Sequence, residues 1–130
     1  MELFSKSAKD GADVVLDRKV ALSQLDGDAD TLAMLLDLFR ADAPNTLEAI
    51  RKAVKESSAS GLRSAAHKFK GSLSALGAGL AMKAALQLET IGRAGDMTGA
   101  QSALTVLEHE IGRLGPELDD FSKELRSSSH

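Results

Sequence analysis

The chain contains no cysteine, tryptophan or tyrosine and only four phenylalanines. Without cysteine there is no disulfide, no thiol nucleophile and no cysteine-ligated zinc, and the composition is compatible with a reducing compartment. Aromatic residues are scarce and the pI is about 5.6. Both features argue against binding of single-stranded nucleic acid, because that function needs bases stacked on aromatic side chains in a basic groove.

Long apolar runs are also missing. The longest apolar-rich stretch, from Leu32 to Phe39, is interrupted by Asp37 and is far shorter than the ~20 residues that a membrane span needs. The first ten residues carry charged side chains and no apolar region typical of a signal peptide. We therefore expect a cytoplasmic protein without membrane contact.

What is present is the composition of a globular domain. The 130 residues are 43% hydrophobic and 27% charged, with a formal net charge of −3, which suits one compact domain. The segments between breakers show a helical period and none alternates like a strand. We predict an all-α fold, an antiparallel four-helix bundle with a short N-terminal capping helix. The bundle is expected over residues 17–126, with residues 1–16 a tail or linker remnant and residues 127–130 a disordered tail.

Glycine, proline and capping residues set the expected helix boundaries. Asp28 or Asp30 can cap the second helix, and Pro44 is expected to kink or split it. The pair Gly115-Pro116 is expected to end the fifth helix. The other predicted helical segments are 17–25, 60–76, 80–91 ended by Gly92 to Gly95, 96–114 and 117–125.

One histidine lies off the apolar stripe of its helix. At ~100° per residue, the core stripe of the third helix comprises Leu62, Ala66, Phe69, Leu73, Leu76 and Leu80. His67 falls outside this stripe, and its neighbours one or two turns away are Arg63, Lys70, Gly71 and Ser74. An isolated surface histidine usually has no function, and basic residues around it are usually only solvated.

Gly71 makes that simple interpretation harder to accept. A glycine inside a helix costs about 1 kcal/mol relative to alanine, so we expect another molecule to approach the backbone there. The two nearby cations disfavour protonation of His67. A neutral imidazole keeps a nucleophilic nitrogen free, and the same cations would suit an attached phosphoryl group.

These residues resemble a known signature. The segment His67-Lys68-Phe69-Lys70-Gly71-Ser72, followed by Leu76-Gly77-Ala78, is similar to the motif of histidine-containing phosphotransfer (HPt) domains. The similarity covers about residues 17–114 and includes Leu35-Leu36-Asp37-Leu38-Phe39 with Asp42-Ala43-Pro44, Leu86-Gln87-Leu88-Glu89, and Gly95-Asp96.

The resemblance implies a phosphorelay intermediate. His67 would accept a phosphoryl group from a receiver-domain aspartyl phosphate and pass it to another receiver, Lys70 would be the charge partner of the phosphoryl oxygens, and Gly71 would give the receiver clearance. Such a domain binds no cofactor itself, and Mg²⁺ is expected on the partner receiver. It is a phosphoryl carrier without an ATP site, although a hybrid sensor histidine kinase containing it would be a kinase. We expect a monomer whose partners are response-regulator receiver domains.

The docking surface is predicted from charge and apolar residues. Between Arg51 and Gly71 the chain has six basic residues against one acidic residue, which predicts a basic patch around His67 that attracts an acidic receiver. If some of these basic residues point elsewhere, they are merely solvated. The predicted partner-binding residues are Arg63, Lys68, Ser74, Leu32 and Met34, with Leu25 a further apolar candidate.

Two other functions compete with phosphotransfer. A helical docking module could bind a receiver or kinase without accepting phosphate, although such a role does not obviously demand Lys70 and Gly71. An enzyme with its own active site lacks support, since no nucleotide-binding glycine loop or metal-ligand spacing is visible. His109, for example, has Arg113 rather than a second ligand one turn later. The receivers served, and whether the domain is a free-standing shuttle or part of a hybrid kinase, stay open.

Overall fold

A computed structural model describes residues 13–25 and 27–128. Within these ranges the long regular elements are helices, and no strand is present. The helices are α1 (Arg18–Ser23), α2 (Ala29–Lys55), α3 (Ala59–Ala75), α4 (Gly79–Ala94) and α5 (Ala100–Ser128).

The four long helices form a closed bundle. Each of α2, α3 and α4 packs against the next helix along the chain, and α5 returns to pack against α2. Short connections between successive helices make these neighbours antiparallel, and α1 packs against α2. The predicted all-α helical bundle is therefore confirmed.

Short polar side chains begin three of the helices. Asp17, Asp28 and Ser58 each accept hydrogen bonds from free backbone N–H groups in the first turn of α1, α2 and α3. The first turn of α4 is satisfied differently, because the N–H of Leu80 donates to the carbonyl of Val14 at 3.0 Å. The chain before α1 therefore supports the start of α4.

Residues 13–17 lie against the turn between α3 and α4. The N–H of Asp17 donates to the carbonyl of Gly77 at 2.7 Å, and Val15 and Leu16 pack against the core. Gly77 has a φ of +76°, and a Cβ there would lie 2.4 Å from the carbonyl oxygen of Asp17. Of the predicted N-terminal tail, residues 13–16 thus pack against the bundle, while residues 1–12 lie outside the described residues.

Neither proline breaks its helix. α2 continues through Pro44 and α5 continues through Pro116. Of the kink or split predicted at Pro44, the split is therefore wrong, and the predicted break at Gly115-Pro116 is wrong as well. The predicted segment 117–125 is the second half of α5. A proline inside a helix costs about 3 kcal/mol, but each buried leucine contributes about 1.5–3 kcal/mol. Buried residues continue on both sides of the prolines: Leu36 and Leu47 in α2, and Leu107, Leu114, Leu118, Phe121 and Leu125 in α5.

Ion pairs between α2 and α5 show their antiparallel register. Arg40 pairs with Asp119, and Arg51 Nε lies 2.7 Å from Glu108 Oε2. This register places Pro44 opposite Gly115, and both residues line one shallow groove between the two helices.

The structure fixes the position of two helix ends. α4 runs to Ala94 and ends at Gly95, the last residue of the predicted terminating segment Gly92 to Gly95; its φ of +84° is the left-handed conformation that glycine adopts readily. α5 begins at Ala100 rather than near Asp96, because the Asp96 carboxylate accepts hydrogen bonds from the N–H and hydroxyl of Thr98 in a local turn. α5 includes residues 127 and 128 of the predicted tail, and residues 129–130 lie outside the described residues.

The core is mostly leucine and alanine, and it fixes the orientation of α3. Leu62, Ala66, Phe69 and Leu73 are buried on one side of α3, as predicted. The ring of Phe69 stacks on that of Phe39 in α2, with 5.9 Å between centroids. The opposite side of α3 therefore faces outward. No helix in the described part of the chain is long and apolar enough to cross a membrane.

Candidate phosphotransfer site

His67 lies on the outer side of α3. Its side chain is 68% exposed, whereas Ala66 and Phe69 beside it in sequence are buried in the core. The predicted exposure of this imidazole is therefore observed.

A buried carboxylate on α4 lies beside the exposed imidazole. Glu89 is 1% exposed, and its Oε2 lies 2.8 Å from His67 Nδ1 and 2.8 Å from a guanidinium nitrogen of Arg93. Its Oε1 lies 2.8 Å from Lys70 Nζ. A charge without partners would be costly at this depth, so these contacts explain how a carboxylate is accommodated among apolar residues.

The surrounding groups keep Glu89 ionised. The ammonium of Lys70 has the largest effect, and together with the hydrogen bond to His67 it lowers the pKa of Glu89 from 4.5 to about 2, although burial acts in the opposite direction. At neutral pH the site therefore contains a fixed negative charge under the imidazole.

This charge sets the tautomer of His67. An ionised carboxylate can only accept hydrogen bonds, so the hydrogen of a neutral His67 ring lies on Nδ1 and is donated to Glu89 Oε2. Nε2 then carries an unshared electron pair. Because the side chain is 68% exposed, this nitrogen is the nucleophile available to another molecule.

Lys70 is close to His67, as predicted, but its ammonium is already bound. Nζ contacts the buried Oε1 of Glu89, and the Lys70 side chain is only 27% exposed. In this structure Lys70 is therefore the charge partner of the carboxylate.

Gly71 lies on an open part of the surface. A Cβ built at this position would have no atom of the described residues within 4 Å, apart from its own helix backbone. Internal packing thus gives no reason for glycine here, and its predicted role in clearance for a partner stays a prediction.

Gly92 brings α3 and α4 into close contact beneath the site. A Cβ at Gly92 would lie 2.7 Å from the carbonyl oxygen of Ala59 and 2.7 Å from the backbone nitrogen of Arg63. Only glycine permits this approach. It places Glu89, one turn earlier on α4, within reach of His67.

The predicted docking residues fall into two groups. Arg63, Lys68 and Ser74 are exposed on α3 with His67, and Lys68 Nζ lies 3.7 Å from Asp42 of α2. Met34 is 59% exposed, but Leu32 is only 2% exposed. Leu32 packs into the core, because its side of α2 turns inward, and its role in partner binding stays a prediction.

An apolar groove between α1, α2 and α3 lies next to these residues. Leu35 and Leu38 are 40% and 59% exposed, so both side chains lie partly on the surface. Asp42 lines the groove and also contacts Lys68, so the groove lies beside the His67 region. The apolar groove is lined mainly by Ala21, Leu25, Leu32, Leu35, Leu38, Phe39, Ala75 and Leu76.

The predicted basic patch is smaller than the sequence indicates. Arg51 points to α5 and pairs with Glu108, and Lys70 is neutralised by Glu89. Arg93 of α4 adds a positive charge to the site. Neither this residue nor the role of Glu89 was predicted from the sequence. A signal was present, since Glu89 is a lone carboxylate next to Leu88 on the apolar side of α4, and Arg93 follows one turn later.

Comparison with known proteins agrees with this geometry. The family model for the Hpt domain matches residues 34–117. The chain belongs to the Hpt domain family. The Hpt chain is also similar to the crystal structure of histidine-containing phosphotransfer protein B (HptB) from Pseudomonas aeruginosa PAO1, with a TM-score of 0.78 and 28% sequence identity. That similarity covers 85% of this chain and 96% of the HptB chain. Comparison with curated protein sequences finds no match.

The family determines the general function. This Hpt domain is a histidine phosphotransfer protein of a phosphorelay. Hpt domains are phosphocarriers rather than enzymes with an ATP site of their own, and the family implies two-component partners such as receiver domains. Among the described residues, no group of three or more His, Cys, Asp or Glu side chains could hold a metal ion.

Proposed function

We propose that His67 is the phosphoacceptor and that Nε2 is the atom that carries the phosphoryl group between two receiver domains. The observation that carries this proposal is the contact of 2.8 Å between His67 Nδ1 and the buried Glu89 carboxylate. It holds the ring hydrogen on one nitrogen and leaves the other, exposed nitrogen with its electron pair.

The proposed step conserves charge and needs no further reactant. The electron pair of His67 Nε2 attacks the phosphorus of a receiver aspartyl phosphate, an N–P bond forms, and the P–O bond to the aspartate breaks. The bonding electrons leave with the aspartate, which becomes a free carboxylate. The imidazole gains one positive charge, and Glu89 lies in position to stabilise it. Transfer to the second receiver is the same step in reverse.

The chain itself contributes an oriented nucleophile. Reaction by displacement at phosphorus depends mainly on positioning and on charge around the transferring group. We expect the remaining carboxylates and Mg²⁺ on the receiver, so the domain acts as a carrier that is catalytically incomplete without its partner.

The apolar groove is the proposed docking surface. It offers the exposed side chains of Leu35 and Leu38 beside the exposed α3 surface, and Gly71 leaves the backbone near His67 uncovered. Apolar contact in the groove would supply affinity. Lys68, which contacts the groove residue Asp42, and the exposed Arg63 on the same helix would steer an acidic receiver.

The test is phosphotransfer from a phosphorylated receiver to the wild-type chain and to His67→Gln. The wild-type chain should gain an acid-labile, alkali-stable phosphoryl group, and the variant should gain none. His109→Gln, which removes another exposed histidine, is the matched control and should behave like the wild type. If His67→Gln still binds the receiver and still becomes labelled, the assignment of His67 is wrong. If the wild type binds the receiver but is never labelled, the docking-module alternative is supported instead.

A further inference from the structure

We propose that Arg63, and not Lys70, is the side chain that binds the phosphoryl group while it is attached to His67. The binding site is a surface depression of about 360 Å³ lined by Arg63, Ser64, His67, Glu89 and Arg93. This inference rests on the proposed function, because it concerns the phosphorylated form of the same histidine.

The first observation is that Lys70 is not available. Its ammonium lies 2.8 Å from Glu89 Oε1, on the buried side of the site. Moving it to a phosphoryl group would remove the one cation that contacts this buried oxygen among the described residues, which is unfavourable. Lys70 is also absent from the lining of the depression.

The second observation is that Arg63 is available. It is exposed, and its side chain makes no hydrogen bond or ion pair with any of the residues 13–25 and 27–128 that the structure describes. Its guanidinium is planar and always charged, and it can donate two parallel hydrogen bonds to phosphoryl oxygens. Arg93 contacts Glu89 Oε2 with one nitrogen, and its side chain is still 59% exposed. Its other N–H groups can donate to a phosphoryl group from the opposite side of the depression.

The geometry of the helices directs the imidazole toward this depression. Side chains on a helix lean toward its N-terminus, so His67 leans over the turn that contains Arg63 and Ser64. The close contact at Gly92 holds α4 against the backbone of Arg63. Arg93 therefore follows directly after the point where the two helices touch.

The charges around the depression match a phosphoryl group. Arg63, Lys70 and Arg93 are positive and Glu89 is negative, which leaves two positive charges when His67 is neutral. A phosphoryl group carries about −1.5 to −2 at neutral pH. The unphosphorylated protein therefore already carries, around the depression, the positive charge that would balance a phosphoryl group.

The experiment uses chemical phosphorylation, so that no receiver is needed. The full chain is treated with phosphoramidate, and the ³¹P NMR signal of phosphohistidine is followed over pH in the wild type, Arg63→Gln, Arg63→Lys and Lys70→Gln. His67→Gln identifies the signal. Arg113→Gln, which removes an exposed arginine of α5 outside the depression, is the matched control.

Arg63→Gln should raise the pKa of the phosphoryl group by about half a unit or more, because a nearby cation favours its dianion. Arg63→Lys should give an intermediate value, since it keeps the charge and loses the paired donors. Arg113→Gln should not change the pKa. An unchanged pKa in Arg63→Gln contradicts the proposal, and a rise confined to Lys70→Gln would assign the role to Lys70.

Failure of the proposed function gives a different result. If phosphoramidate produces no signal that depends on His67, then His67 is not a phosphoacceptor and both proposals are wrong. If the signal forms and the group passes to a receiver, but Arg63→Gln leaves the phosphoryl pKa unchanged, only the role of Arg63 is wrong.

Discussion

Glu89 is the residue that turns an exposed histidine into an oriented nucleophile. It contacts His67, Lys70 and Arg93 at 2.8 Å each, although it is almost fully buried. Lys70 keeps the carboxylate of Glu89 ionised, and the ionised carboxylate holds the ring proton of His67 on Nδ1. A change at Glu89 should therefore affect both stability and reactivity.

The substitution Glu89→Gln should lower the free energy of unfolding by roughly 1–3 kcal/mol at pH 7, since it leaves the ammonium of Lys70 without its charge partner. The effect should depend on pH. The pKa of Glu89 is lowered from 4.5 to about 2, so its contribution is present above pH 4.5 and is lost as the pH falls toward 2. Urea unfolding of the wild type and the variant, from pH 7 down to pH 2, measures the difference.

The expected result is a difference in stability that shrinks with falling pH. Glu48→Gln is the control, because Glu48 is exposed and its carboxylate pairs, within the part of the chain that the structure describes, only with Arg51 at 3.4 Å. It should therefore change stability little at any pH. If the difference in free energy of unfolding between the wild type and Glu89→Gln stays constant from pH 7 to pH 2, then Glu89 is not held ionised by its neighbours.

Residue roles could be predicted from the sequence only in part. The exposure of His67 follows from the periodicity of α3 alone, because the apolar stripe of a helix determines which of its sides faces outward. This prediction was confirmed. The role of Glu89 depends on how α3 and α4 pack, and no local pattern contains that distance. The resemblance to the family assigned Lys70 to the phosphoryl oxygens, and this role stays a prediction. The contact of its ammonium with Glu89 depends on the same packing and could not be predicted from the sequence.

At the scale of a helix, Gly71 and Gly112 form a natural pair. Both lie inside long helices, and a Cβ at either position would have no neighbouring atom of the described residues within 4 Å. They differ in location, because Gly71 is one turn from His67 on α3 and Gly112 is on α5. Their substitution by alanine therefore separates helix propensity from docking.

Both Gly71→Ala and Gly112→Ala should raise the free energy of unfolding by about 0.5–1 kcal/mol, since alanine is the better helix former and fits without a clash. Only Gly71→Ala should slow phosphotransfer from a receiver, by about tenfold if the added methyl group costs 1.4 kcal/mol in the docked complex. Thermal unfolding and transfer kinetics measure the two effects. Equal transfer rates for both variants would mean that no partner approaches Gly71 closely.

The helix boundaries show which features can be predicted from neighbouring residues in the sequence and which cannot. Asp17 and Asp28 were correctly expected near helix starts, because capping depends on a few neighbouring groups. Pro44 was expected to kink or split α2 and Gly115-Pro116 to end a helix, but both helices continue through their prolines. The penalty of a proline is local, whereas the burial that outweighs it is contributed by residues on both sides, so only the packed bundle shows which is larger.

At the scale of the whole molecule, exposed charges serve association more than stability. Ion pairs such as Arg40–Asp119 and Asp37–Arg126 connect α2 and α5 at the surface, where each contributes at most about 1 kcal/mol. The basic groups around His67 lie elsewhere, on α3 and α4. Salt should therefore act differently on folding and on partner binding.

Raising NaCl from about 0.05 M to about 0.5 M shortens the range of electrostatic attraction to a few ångströms. We expect association with an acidic receiver to slow by about tenfold or more, whereas the urea midpoint of unfolding should change little. Stopped-flow association kinetics and equilibrium unfolding in the same buffers test this. A receiver whose association rate does not depend on salt would contradict steering by the basic groups.

The fold class was predictable because it depends on repeated features. Long apolar stripes with a period of about 3.6 residues and short connections favour a helical bundle over any other arrangement. The exact surface was less predictable. Leu35 lies on the edge of the α2 stripe, and whether such a residue faces the core or the groove depends on the angle at which α1 and α3 pack.

The contact at Gly92 also constrains how this sequence can diverge. Any larger side chain at that position would collide with the backbone of Ala59 and Arg63, and moving the helices apart would withdraw Glu89 from His67. Related sequences that keep an acidic residue at the position of Glu89 should therefore keep glycine three residues later. Relatives that have lost the glycine should have lost the carboxylate as well, so that the two positions vary together. Gly71, where an added Cβ would meet no side chain of the described residues within 4 Å, should vary according to the partner.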